Sequence, residues 1–155
     1  MKRLYSLLLV ILGFFIIFSC EDDNSFAITQ PQLLSAHKWQ LKEVRTIIDN
    51  VTTTDKLLAC ERQSTLDFTD PENYYSVAYA TTDGNCVETD TNGTYLYELT
   101  GTDKRNITLT QSDGTKKTYY MYQLDPSYLI LQETIQEATD TESQKLQLSV
   151  YQPVE

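Results

Sequence analysis

From about residue 38 onward, apolar and polar positions alternate in short runs, the period-two pattern of half-buried β-strands. Trp39 and Leu41 alternate with Lys38, Gln40 and Lys42, and the run continues to Ile48 with a phase slip near Glu43 that predicts a bulge. Leu66 and Phe68 mark a second strand, and Asp70-Pro71-Glu72-Asn73 after it is strong turn chemistry. Residues 74–81 and 93–99 read as the third and fourth strands, separated by Asp83-Gly84. Gly101-Thr102-Asp103 turns the chain into a fifth strand around Ile107 and Leu109, and Asp113-Gly114 closes a hairpin into residues 118–124. Asp125-Pro126 turns again into residues 128–135, and Leu146, Leu148 and Val150 carry the eighth strand. The polar stretch 136–143 reads as a long loop or a short helix.

Short strands joined mostly by tight turns describe an all-β, antiparallel up-and-down meander. Such a sheet has two edges open to further pairing, and at roughly eight strands it removes them by closing into a barrel. A barrel of that size has room for its own side chains or for one small ligand. An immunoglobulin-like sandwich is the alternative, but its crossings are longer than most of these turns. With no repeat and no long linker after the N-terminal segment, residues 33–155 form one expected domain.

The N-terminal segment is of another kind. Lys2 and Arg3 precede an unbroken apolar or glycine run over residues 7–18, about the length of a signal h-region. Ile17-Phe18-Ser19-Cys20 resembles a lipobox, with a branched apolar residue three places before a cysteine and a small residue just before it. The expectation is a lipoprotein signal peptide over residues 1–19, lipidation at Cys20, and a flexible tether over residues 20–32. Two or more acyl chains on Cys20 anchor stably where one does not. An ordinary secretory signal and an uncleaved membrane helix are the alternatives. Residues 4–18 span roughly 22 Å as a helix against a hydrocarbon core of roughly 30 Å, so the helix fits poorly. Glu21-Asp22-Asp23 resembles the acidic export signal of surface lipoproteins in the Bacteroidota, which implies a lipid-anchored protein of the bacterial outer membrane exposed at the cell surface; a solvated tether, with the orientation left open, is the alternative reading of the same run.

Removing residues 1–19 takes away Lys2 and Arg3, two of the twelve basic residues, and moves the formal charge from -10 to -12. Such a chain is repelled by nucleic acid and by anionic headgroups, so no nucleic-acid partner is expected and membrane association falls to the lipid. With Cys20 assigned to lipid, Cys60 and Cys86 remain, and an oxidising envelope favours pairing them over leaving two free thiols. In a hairpin turning near Pro71, Cys60 stands opposite Asp83, three short of Cys86; a bulge or the 82–85 loop has to absorb that offset.

Leu33-Leu34-Ser35-Ala36-His37-Lys38-Trp39-Gln40-Leu41 resembles the opening of the lipocalin-like domains of Bacteroidota lipoproteins, where a short helix or loop leads into a Trp-bearing first strand. Cys60, Leu66-Asp67-Phe68, Cys86 and Gly93-Thr94-Tyr95 continue the likeness over most of residues 33–151. The chain departs from the animal lipocalin signature in having His37 two residues before the tryptophan, where that signature has glycine. The resemblance implies a barrel and a ligand cavity, without naming the ligand.

Catalytic chemistry is sparse. His37 is the single histidine, Cys60 and Cys86 lack zinc-motif spacing, and no glycine-rich phosphate loop occurs, so neither an enzyme nor a cofactor is expected. Asp83 and Asp90 are the nearest approach to a Ca²⁺ site, without its ligand periodicity. Eleven tyrosines against one tryptophan are the unusual feature, and tyrosine combines apolar area with a polar tip. Trp39, Phe68, Tyr75, Tyr79, Tyr95, Tyr97, Tyr120 and Tyr122 are the expected barrel lining, while Tyr74 and Tyr119 fall on the opposite phase; the pattern leaves the phase of the third and sixth strands open. The expected function is non-enzymatic binding of a small hydrophobic or amphipathic ligand. The alternative is an interaction module with a filled core that binds a protein or glycan. An interior of about 300 Å³ or more favours the first.

Overall fold

The computed structural model describes residues 29–100, 104–139 and 142–154. The expected signal peptide, Cys20 and most of the tether lie outside the described residues. Among those described, no helix is long and apolar enough to cross a membrane.

A short helix, α1 (Gln30–Ser35), precedes nine strands: β1 (Lys38–Ile48), β2 (Val51–Asp55), β3 (Thr65–Asp67), β4 (Asn73–Thr82), β5 (Asn85–Thr100), β6 (Lys104–Gln111), β7 (Lys116–Leu124), β8 (Leu129–Gln136) and β9 (Lys145–Pro153). Residues 30–32, expected in the tether, belong to α1. From β3 to β9 each strand pairs antiparallel with the next, and β1 pairs with both β3 and β9, so eight strands close into a barrel. The ninth, β2, folds back on the far half of β1 through Asp49-Asn50, both at positive φ, as a two-residue hairpin turn requires. The phase slip expected near Glu43 is present as a register shift between Leu41 and Glu43 against β9.

One end of the barrel is packed solid. Trp39, Phe68 and Leu34 are fully buried there, with Tyr74, Ile107, Met121, Leu129 and Leu131 against them. α1 closes this end. Its side chain Gln32 accepts from the Thr29 backbone N–H at 2.9 Å, its Leu34 carbonyl accepts from Trp39 Nε1 at 2.9 Å, and Tyr97 donates its hydroxyl to Gln30 Oε1 at 2.6 Å.

Three strand expectations need correction. β5 runs sixteen residues from Asn85 instead of starting at Gly93, because β4 and β5 are joined by the tight Asp83-Gly84 turn, with Thr82 opposite Asn85. β2 was not expected as a strand, and it has no apolar face to betray it: all five residues are exposed. In β9 the apolar set faces outward: Leu148 and Val150 pack with Ile130 and Ile47 in a separate outer cluster, while Ser149 and Tyr151 stand opposite the core residues Leu131 and Leu129. Flanking Lys42, Glu43, Arg45 and Gln123 border that outer cluster with their long side chains. Of the 136–143 stretch, Gln136 ends β8 and the rest of the described part is a loop, with the Thr139 N–H donating to the Glu142 carbonyl.

Cys60 and Cys86 form a disulfide, with their Cα atoms 5.6 Å apart. The three-residue offset is absorbed neither by a bulge nor by the 82–85 loop. Cys60 lies outside the ladder, just before the 3₁₀ turn Glu61–Gln63 that leads into β3, and reaches over to β5 from there.

Candidate functional site

Opposite the helix-capped end, the barrel interior opens into a cup of about 230 Å³ lined by Leu66 of β3, Tyr74, Ser76 and Ala78 of β4, Thr91 of β5, Leu109 and Gln111 of β6, Lys117 and Tyr119 of β7, and Tyr151 of β9. Six strands contribute, so closure of the barrel creates the cup. Cross-strand register fixes which side chains face it. Leu66 pairs with Ser76, Ser76 with Thr91, Leu109 with Lys117 and Ile107 with Tyr119, and paired residues share a face.

That register divides the tyrosines differently from the expectation. Trp39 and Phe68 are inside, fully buried in the packed end and without exposure to the cup. Tyr95 and Tyr97 point inward, half-buried against the same core, Tyr95 edge-on to Phe68 at 5.1 Å. Tyr75, Tyr79, Tyr120 and Tyr122 do not line the barrel. Tyr75 neighbours the buried, inward Tyr74 and is half-exposed. Tyr79 lies in its phase and donates its hydroxyl to Glu88 Oε2 at 2.7 Å on the outer face. Tyr120 alternates with inward Tyr119 and Met121, and Tyr122 sits in the β7 bulge, exposed. The inward aromatic set of the cup is Tyr74, Tyr119 and Tyr151.

The cup's electrostatics centre on Lys117. Its Nζ lies 2.8 Å from Glu133 Oε2 on β8 and 5.1 Å from the Tyr119 ring centroid. Burial is the largest single influence on Lys117 and opposes its charge, but the hydrogen bonds and charge interactions with Glu133 and Tyr119 together outweigh it and hold the ammonium above the ordinary lysine range. Burial pushes the phenols of Tyr74, Tyr119 and Tyr151 up, the last most strongly, so all three stay protonated hydrogen-bond donors. At the closed end, the half-buried His37 lies edge-on to Trp39 at 5.8 Å. Among the described residues no three His, Cys, Asp or Glu side chains converge as metal ligands.

Lys117, Glu133, Tyr119 and Tyr151 were missed from sequence. The signal for Lys117 and Tyr119 lay in counting back from the Asp113-Gly114 turn, which sets Lys117 opposite Leu109 and Tyr119 opposite Ile107.

A closed eight-stranded antiparallel barrel, capped by a helix at one end and open at the other, defines the lipocalin-like class of fold. A family model described as a lipocalin-like domain matches residues 36–131, more than half of the chain, and the chain belongs to that family. The family consists generally of non-enzymatic binding proteins. The chain is also similar to the crystal structure of a lipocalin-like protein from Bacteroides uniformis ATCC 8492, at 16% identity over 76% of this chain and 96% of that one, with a TM-score of 0.43. A comparison with curated proteins gives no match.

Proposed function

We propose that this chain is a lipid-anchored, non-enzymatic binding protein of the bacterial outer membrane, exposed at the cell surface, which holds a small hydrophobic or amphipathic molecule in the open end of its barrel. The observation that carries the binding reading is the cup itself, an interior space with apolar Leu66 and Leu109 and a ring of polar groups supplied by five strands. The lipobox-like residues before Cys20 carry the anchoring reading. Native mass spectrometry of protein purified from its own cells, with titration of a short-chain fluorescent fatty acid, tests the first. A bound small molecule supports it, and an empty cup that takes up no probe refutes it. Radiolabelled palmitate tests the second: label enters the wild type and not the Cys20→Ser variant, and an unlabelled wild type refutes the anchor.

The size of the cup favours a second reading. At about 230 Å³ it falls below the roughly 300 Å³ at which drug-sized ligand pockets begin. Tyr75, Leu96 and Tyr122 are all more than half exposed on the outside, apolar area suited to a protein or glycan partner. Native mass spectrometry also separates this interaction module from a carrier, since the module is purified without a small molecule.

A further inference from the structure

Of the residues lining the cup, Lys117 is the only one with an ionised side chain, on a chain of formal charge -10. Glu133 and the Tyr119 hydroxyl oxygen each engage one of its ammonium hydrogens, and one donor remains. The lysine side chain is about half exposed, at 49%, so that donor is open to whatever enters. A wholly apolar occupant would strip water from it and give nothing back, a net loss. Tyr119 and Tyr151, held protonated by burial, add neutral donors in the same cup. One cation, already paired with the Glu133 carboxylate and left with a single donor, has room for a singly charged headgroup at most; a phosphate dianion calls for more positive charge than the lining holds.

We propose that the cup takes a short amphiphile bearing a single carboxylate, with the carboxylate on Lys117 and its apolar body against Leu66, Leu109 and the tyrosine rings, and that it excludes long acyl chains. This rests on the carrier reading of the barrel and names its ligand class. The size limit follows from the volume, since about 230 Å³ is smaller than a pocket for drug-sized ligands. Glu133 is the tuning group. It holds Lys117 in place and competes with the incoming carboxylate.

The test uses the full chain carrying Cys20→Ser, so that no attached lipid competes, with octanoate, 1-octanol, octylammonium and palmitate titrated by calorimetry. Octanoate binds at least about tenfold tighter than 1-octanol, the margin of a charge-assisted hydrogen bond, while octylammonium and palmitate do not bind. Lys117→Met abolishes the preference for octanoate and keeps the affinity for 1-octanol, and circular dichroism checks that it is folded. Glu133→Gln tightens octanoate, an outcome that a purely structural lysine does not give. Equal binding of octanoate and 1-octanol, a preference surviving Lys117→Met, or binding of octylammonium or palmitate overturns the ligand class and leaves the carrier reading standing. Binding of none of the four overturns both.

Discussion

Trp39 Nε1 donates to the Leu34 carbonyl oxygen at 2.9 Å, so the residue that opens β1 also fastens the helix that seals the barrel. Both residues are fully buried. Trp39→Phe removes the donor, leaves a buried carbonyl without a partner and opens a void where the second indole ring was. A loss of about 2 to 4 kcal/mol follows. Urea denaturation followed by far-UV circular dichroism reads it, and a loss below about 1 kcal/mol would mean that the bond does not hold the cap.

Gly93 is irreplaceable for a different reason. A Cβ built there stands 1.9 Å from the Thr110 carbonyl oxygen and 2.8 Å from its carbon, backbone atoms of the neighbouring strand that cannot rotate away. Gly93→Ala forces β5 and β6 apart in the middle of the barrel wall, at a cost of about 2 to 3 kcal/mol. Gly114 has open space around it and a φ of +86°, so Gly114→Ala costs only backbone strain, about 1 kcal/mol. Equal losses for the two variants would rule out the steric account.

The meander was legible because most of its strands bury one face and expose the other, as Trp39 and Leu41 do between Lys38, Gln40 and Lys42. β2 and the first half of β5 were not, because all of residues 51–55 and 81–90 are exposed and selection for burial leaves no alternation there. The cup was harder to read for the opposite reason. Thr118-Tyr119-Tyr120-Met121-Tyr122 places large side chains on both phases, and so does Tyr74-Tyr75, so local pattern cannot choose a face. Only pairing decides, through Ile107 opposite Tyr119 and Leu66 opposite Ser76. β9 misleads outright, since its apolar Leu148 and Val150 serve an outer cluster and its Tyr151 serves the cup.

The disulfide ties the segment before β3 to the β4–β5 ribbon, whose residues 81–90 are exposed throughout. With 26 residues of sequence separation, its loss is expected to cost about 3 to 4 kcal/mol by the chain-entropy argument. The barrel core of Trp39, Phe68 and Met121 does not include either cysteine, so the Cys60→Ala/Cys86→Ala double variant folds with reduced stability. Thermal unfolding with and without reductant checks this: reductant lowers the midpoint of the wild type and leaves the double variant unchanged. A wild type indifferent to reductant would remove the disulfide from the stability account.

Alkaline pH attacks the barrel from inside. Burial is the leading cause that raises the phenols of Tyr74, Tyr95, Tyr97, Tyr119 and Tyr151 above their ordinary value, which in an unfolded chain is about 10. A group with a raised folded-state pKa holds its proton longer in the barrel than in the unfolded chain. Its stabilising contribution is therefore complete below about pH 10 and is lost as the pH climbs from there toward the folded-state value. Lys117, whose ammonium is also raised, acts with the same sign over its own range. Urea denaturation at fixed ionic strength should give a stability with little tyrosine-linked change between about pH 7 and 9 and a steep fall above about 10. Tyr151 is shifted furthest among them, so Tyr151→Phe should flatten that fall even if it lowers stability at neutral pH. A Tyr151→Phe profile parallel to the wild type above pH 10 would show that this phenol is not held protonated by the barrel.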